Sequence, residues 1–230
     1  IAHDAPWEGN VSCYHTVFQD GDLYRMYYRG QHSNKKPGAE KHEYSSAKTC
    51  YAESRDGIHW TKPRLGLFEY EGSKDNNIVW LGPAAHNFAP FKDANPDCKT
   101  EERYKAIGGE NGLIPFSSPD GLCWKPMREE RLKIIGKHDS LNLAFWDTYR
   151  RTYVAYVRDS LRDPRNKIRD IRCSTSPDFL NWTGDEWLDY GDAPVEHLYT
   201  NAIQQYHRAP HLLVGFPMRY VPLINPSRAV

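Results

Sequence analysis

Four short stretches of the chain gather side chains that can hold protons and charge. They are Trp7-Glu8-Gly9-Asn10 with His15, Ala85-His86-Asn87, Lys137-His138-Asp139-Ser140 with Asn142, and Val195-Glu196-His197-Leu198-Tyr199 with Asn201. Carboxyls from separate stretches, brought to one mouth, can divide into a proton donor and an ionised partner. Crowding by a second carboxylate raises a carboxyl's pKa, whereas a facing arginine keeps it ionised. A second set of positions carries arginine: Arg29, Arg158 and Arg219. Their planar forks suit a carboxylate or sulfate, or they pair with the carboxyls of the first set and orient them. His15, His86 and His197 have no metal-ligand spacing, so a shared metal would depend wholly on the fold. Hydrogen bonding to ligand hydroxyls or to neighbouring carboxylates is the simpler reading of these histidines.

The elements that must position these groups show themselves as a repeat. Ser54-Arg55-Asp56-Gly57-Ile58-His59-Trp60, Ser118-Pro119-Asp120-Gly121-Leu122-Cys123-Trp124 and Ser176-Pro177-Asp178-Phe179-Leu180-Asn181-Trp182 share one internal spacing. Each reads as a turn whose Ser and Asp side chains hydrogen-bond nearby amides before Trp returns the chain to the core. Two strand candidates precede every turn. The first are Tyr14 to Phe18, Phe88 to Phe91 and Asn142 to Trp146; the second are Tyr24 to Tyr28, Tyr104 to Ile107 and Tyr153 to Val157. A fourth copy starts with Thr200 to Gln204 and His211 to Phe216. Four strands per unit describe a propeller blade, so the fold expected is all-β, a single propeller domain over 1–230. About three and a half blades are present, near 11–70, 84–130, 139–190 and 198–230, with the rest of the ring to come from further chain or another subunit.

This register predicts a functional face. The first strand of each blade lines the axis and begins at the ligand-binding mouth, and the second strand returns there. All four polar stretches then fall at the axial entrances, and the arginines fall at second-strand ends. Asp56, Asp120 and Asp178 fall on the opposite face, as structural residues.

Composition narrows the class further. Lys+Arg and Asp+Glu both number 30, so no net field draws the chain to nucleic acid or an anionic membrane. No apolar run is long enough for a spanning helix. Aromatics make up 13% of the residues, with 15 Tyr and 7 Trp, a mixture that suits pleated strands and sugar-facing surfaces. The five cysteines, Cys13, Cys50, Cys98, Cys123 and Cys173, include no Cys-x-x-Cys pair and read mainly as small buried hydrophobes. The start, Ile1-Ala2-His3-Asp4, lacks a signal-peptide layout, as a processed chain also would, and a periplasmic or secreted setting is the expectation.

The chain resembles the five-bladed propeller glycosidases, the group containing invertases, arabinanases and β-xylosidases, and within it the glycosidase-like bacterial propellers. The likeness is carried by Pro6-Trp7-Glu8-Gly9, Tyr24-Arg25-Met26-Tyr27-Tyr28-Arg29-Gly30, His86-Asn87-Phe88-Ala89-Pro90-Phe91, Asp139 through Asn142-Leu143-Ala144-Phe145-Trp146-Asp147, and Leu198-Tyr199-Thr200-Asn201. It implies a glycoside hydrolase acting on a poly- or oligosaccharide, an anionic one if the arginines face the site. Its carboxyls would be Glu196 as general acid, Asp139 as the ionised central aspartate and Glu8 in the first blade's place. Where invertase-like enzymes carry Asn-Asp-Pro, this chain has Glu8-Gly9-Asn10, with Asp4 in reserve. His15, His86, Asn87, Asn142, His197, Tyr199, Asn201 and the three arginines would contact sugar, with Trp7 and Trp146 as stacking faces. Arg162-Asp163-Pro164 is similar to an invertase motif but falls, by register, in a rim loop. No cofactor is implied, apart from the calcium that sits on the axis of some relatives. The same groups without a correctly separated acid pair would make a non-catalytic carbohydrate-binding propeller.

Overall fold

The computed structural model describes residues 1–34, 43–160 and 168–221. Arg162-Asp163-Pro164 lies outside the described residues. Three four-stranded antiparallel sheets follow one another along the chain. The first contains β1 (Cys13–Asp20), β2 (Leu23–Gly30), β3 (Lys48–Ser54) and β4 (Ile78–Leu81). The second contains β5 (Ala89–Lys92), β6 (Tyr104–Gly108), β7 (Ile114–Ser118) and β8 (Lys125–Pro126). The third contains β9 (Leu143–Asp147), β10 (Thr152–Ser160), β11 (Arg169–Ser176) and β12 (Thr183–Trp187). A short pair, β13 (Gln204–Gln205) with β14 (Leu213–Val214), starts a fourth. Among the described residues there is no α-helix. Strand order in space equals strand order in sequence, and β1, β5 and β9 lie side by side. Residues of β1, β5, β9 and β13 jointly line a cavity of about 400 Å³. These are the blades of a β-propeller around its axis.

The first blade reaches beyond the expected 11–70 boundary, because its outer strand is Ile78–Leu81. After Trp60 the chain makes a single bridge, Thr61 to Glu53, and then meets Pro63. Proline has no N–H for a ladder, and pairing to β3 resumes only at Ile78.

Blade faces meet through aromatic-rich layers. Tyr27, Tyr51, Phe88, Tyr104, Phe116 and Trp124 fill the space between blades 1 and 2. Phe88 contacts Phe116 and Trp124 edge-on at 4.9 and 5.1 Å between ring centroids, a preferred aromatic geometry. Phe91, Ile107, Tyr153, Phe179 and Trp182 do the same between blades 2 and 3.

The three Ser-x-Asp turns have one construction. Ser54 Oγ accepts from the Asp56 and Gly57 amides, and Asp56 Oδ1 accepts from the Ile58 and His59 amides. Ser118 with Asp120 repeats the pattern in full, and Ser176 with Asp178 repeats the bonds of the aspartate. The corner is left-handed, with φ of 74° at Gly57, 78° at Gly121 and 69° at Phe179. Phenylalanine there is strained, but its fully buried ring packs between blades in compensation. The His59 ring and the surrounding amides hold the Asp56 carboxyl well below the usual range. Partial burial opposes the same effect at Asp178, yet the Asn181 amide and side chain keep its carboxyl at about 2.

Near these turns, an aspartate at the end of each inner strand ties its blade to the next. Asp20 accepts from Tyr104 Oη at 2.6 Å and Lys92 Nζ at 2.6 Å. Asp93 accepts from Tyr153 Oη at 2.6 Å and pairs with the buried Lys105. Asp147 accepts from Gln205 Nε2 at 2.9 Å. All five cysteines are free thiols.

Candidate functional site

At the opposite end of the axis a cleft of about 770 Å³ is lined by residues of every blade. Blade 1 contributes Tyr14 and Arg29, blade 2 contributes His86 and Glu110, blade 3 contributes Asp139, and the fourth unit contributes Tyr199.

Tyr14 reaches the cleft through a defect in β1. Cys13 pairs with Arg29 and Thr16 with Tyr27, so Tyr14 and His15 together oppose Tyr28 alone. This bulge puts Tyr14 at φ 58°, a left-handed conformation that costs a tyrosine about 1 kcal/mol or more. It re-aims the ring. Arg29 then stacks on Tyr14 with its guanidinium carbon 4.8 Å from the ring centroid, and the Tyr14 and Tyr199 hydroxyls lie 3.4 Å apart. Burial, then the contact with Tyr199, pushes the Tyr14 phenol upward. Arg29 Nη1 lies 3.0 Å from both ring nitrogens of His86, and Nη2 donates to the Val11 carbonyl at 3.1 Å. Burial and then the Arg29 charge pull the His86 pKa down to about 4, so the ring is neutral at pH 7.

Asp139 and Glu110 are the carboxylates of the cleft. Asp139 pairs with Arg158, a guanidinium whose side chain is 6% exposed, while the carboxylate itself is 58% exposed. Glu110 Oε1 stands 3.7 Å from His86 Nε2. Glu110 is presented by the loop after β6, which needs a glycine at 109. There φ is 130°, and a Cβ would lie 2.4 Å from the Gly112 carbonyl oxygen. The Gly109 amide donates to Asn87 Oδ1 at 2.7 Å, which fixes this loop.

The other expected site residues do something else. Glu8 is fully buried beneath the mouth: Tyr28 Oη donates to one oxygen, and Lys62 Nζ and the Ala5 amide, each at 2.8 Å, donate to the other. Desolvating a carboxylate requires such partners, and Glu8, fully buried, does not line the cleft. Asp4, its reserve, shares Lys62 at 2.7 Å. Glu196 does not line the cleft, and pairs at 2.7 Å with Arg219, an exposed side chain.

The three asparagines expected to bind sugar are staples of the backbone. Asn87 donates to the His138 and Ser140 carbonyls, Asn142 donates to the same two and accepts from the Arg158 amide, and Asn201 donates to the Tyr156 carbonyl. Asn10 does the equivalent work on Ser33 in blade 1. An asparagine just before an inner strand can satisfy both an N–H and a C=O where strands diverge, which explains its recurrence. Ser140 Oγ donates to the Tyr199 carbonyl at 2.7 Å, completing a wall from blade 2 to the fourth unit.

The histidines do not converge. His15 is exposed, stacks on Tyr28 and meets His3 at 3.1 Å, while His197 accepts from the Arg169 amide at 3.1 Å. Among the described residues no three His, Cys, Asp or Glu side chains are grouped to hold a metal. The arginines diverge too. Arg29 lines the cleft, Arg158 lies behind Asp139 with its guanidinium carbon 5.2 Å from the Tyr199 ring centroid, and Arg219 remains with Glu196. Trp7 donates to Asn77 Oδ1 at 2.6 Å and Trp146 packs edge-on to Tyr153, so both belong to the blades. Glu110 is the cleft carboxylate that the motif reading missed. Its signal was positional: it follows the second strand of blade 2, at the same end of the sheet as Arg29 and Arg158 in their blades.

No protein-family model matches the chain, and no curated protein matches it. Solved structures do. An N-acetylgalactosamine deacetylase from F. plautii, in complex with blood group B trisaccharide, is similar over 84% of this chain and 58% of its own, at 15% identity and a TM-score of 0.53. A glycoside hydrolase is similar over 84% of this chain and 62% of its own, at 16% identity and a TM-score of 0.52. The chain thus spans about three fifths of the length of these two structures. At such identities the likeness establishes the fold, an incomplete β-propeller. No helix among the described residues is long and apolar enough to cross a membrane.

Proposed function

We propose that the propeller hydrolyses glycosidic bonds of a poly- or oligosaccharide in the mouth cleft. The observation that carries this reading is the pair of solvent-reachable carboxyls, Asp139 and Glu110, in one polar cleft between tyrosine rings. That the fold is shared with a glycoside hydrolase and with a trisaccharide-bound deacetylase supports a carbohydrate ligand.

In this mechanism Arg158 keeps Asp139 ionised and Glu110 supplies the proton. The bond from the anomeric carbon to the leaving oxygen breaks as Glu110 protonates that oxygen. Asp139 stabilises the developing positive charge and directs water to the same carbon, and the water's proton leaves through the ionised carboxylate. The Tyr14 and Tyr199 hydroxyls, 3.4 Å apart at the cleft, can exchange hydrogen bonds with a sugar there.

Reducing-end release from a polysaccharide panel, measured beside calorimetric binding, tests the assignment. Glu110→Gln and Asp139→Asn should each lower turnover by roughly 10²–10⁴-fold while changing affinity by no more than a few-fold. Glu196→Gln, run in parallel, should leave both near the wild-type value. Loss of turnover in Glu196→Gln alone would move the proton donor to Glu196. A second reading, a non-catalytic carbohydrate-binding propeller, is favoured by one observation, the engagement of Glu8 with Tyr28 and Lys62. Binding of glycan with no release of reducing ends by the wild type would establish it.

A further inference from the structure

Three other arginines of the blades meet carboxylates, while Arg169 lies over the Tyr220 ring with its guanidinium carbon 4.2 Å from the centroid. Arg25 pairs with Asp20 at 2.7 Å, Arg172 with Asp159 at 2.8 Å, and Arg158 with Asp139. Arg29 is different. Its contacts are a carbonyl, a histidine ring, a tyrosine face and the Cys13 thiol, none of them an anion at neutral pH, and its Nε is buried without a hydrogen-bond partner. Among the described residues no carboxylate lies within ion-pair distance of it, although it lines the mouth cleft. Removing a guanidinium from water without a counter-charge is costly, and such a group is a strong site for an oxyanion that arrives with a ligand.

The neighbouring carboxylates do not fill this role. Asp139 is engaged by Arg158, and Glu110 sits beside His86. The Tyr14 ring, held beneath the guanidinium by the β1 bulge, fixes the plane of the fork.

We propose that the cleft takes an acidic glycan and that Arg29 recognises an oxyanion on the sugar, a carboxylate or a sulfate ester. This rests on the carbohydrate reading above and names its substrate class. Arg29 is a specificity residue here, and the bond-breaking groups are the two carboxyls.

The test compares each acidic chain with its own neutral form by calorimetry at low salt. One arm uses a uronic-acid oligosaccharide and the same oligosaccharide with its carboxyls reduced to alcohols. The other uses a sulfated oligosaccharide and its desulfated form. One acidic form should bind about ten-fold tighter or more than its neutral partner, and the arm that shows it identifies the oxyanion. The preference should shrink as salt rises, because a charge pair that solvent reaches through the open cleft is screened. Arg29→Gln should abolish the preference, and Arg29→Lys should retain part of it, since a point charge replaces a fork. A salt-dependent preference in the wild type, together with a downfield-to-upfield titration of His86 whose midpoint rises when the acidic ligand binds, supports the proposal even if the variants fold poorly. Equal binding of acidic and neutral forms in both arms would overturn it and leave the carbohydrate reading standing. Absence of binding by every glycan would remove both.

Discussion

The two ends of the propeller axis are built on different terms. At the far end, charged and polar groups are mutually satisfied: Asp20, Asp93 and Asp147 reach from one blade to the next, and each Ser-x-Asp turn closes on its own amides. At the mouth, Arg29 has no counter-charge among the described residues, its Nε has no hydrogen-bond partner, and Tyr14 is held at φ 58°. A protein assembled for stability alone would finish both ends in the same way. The contrast assigns cohesion to the far end and leaves the mouth's unsatisfied groups to a ligand.

The comparison is broken most forcefully at Asp93. Asp93→Asn takes from Lys105, whose side chain is 3% exposed, its close anion and leaves it only Glu102 Oε2 at 3.8 Å. The Tyr153 hydroxyl loses a charged acceptor in the same step. Breaking a buried pair from one side costs about 3–5 kcal/mol, to be read as the loss in chemical denaturation. Glycan affinity of the fraction that remains folded should be unchanged. If affinity fell in proportion to stability, the two ends would not be separable.

The blades were legible in the sequence because their signals are local. Ser, Asp and Trp at fixed spacing specify a turn through bonds to amides two and three residues away, and alternation specifies the strands between. Even Phe179, in a place where its siblings have glycine, did not hide the third copy. The mouth was legible in outline only. Residue type placed Glu8 among the candidate catalytic groups, yet its role depends on Lys62 and Tyr28, which are far away in sequence. Asn87, Asn142 and Asn201 read as ligand-facing for the same reason, since sequence does not show that backbone carbonyls of neighbouring loops claim their amides. Glu110 was hidden in a glycine-rich loop whose path depends on Asn87.

A smaller effect sharpens the comparison at His86. Its folded-state pKa of about 4 lies below the ordinary 6.5, so between those values the unfolded chain takes a proton that the folded chain refuses. Stability is therefore full above pH 6.5 and falls as pH drops toward 4, by about 2–3 kcal/mol from this residue. His86→Gln should flatten the stability curve over that window when the two proteins are compared at each pH, with groups common to both cancelling. Parallel curves would mean that burial beside Arg29 places no penalty on the charged ring.

The finest test concerns strain at the bulge. Tyr14→Ala removes the ring but keeps a Cβ at φ 58°, whereas Tyr14→Gly removes both. The two variants lose the same contacts to Arg29, His86 and Tyr199, so their difference isolates the backbone term. Glycine should be the more stable by about 1 kcal/mol, the usual cost of a left-handed non-glycine residue, less the entropy that glycine loses on folding. Both should bind glycan more weakly than the wild type, because Arg29 loses the face that orients it. A glycine variant no more stable than alanine would show that the bulge is relaxed and that Tyr14 is placed by packing alone. A more stable glycine variant with weakened binding would show that the fold holds a strained residue at the mouth for the sake of its ring.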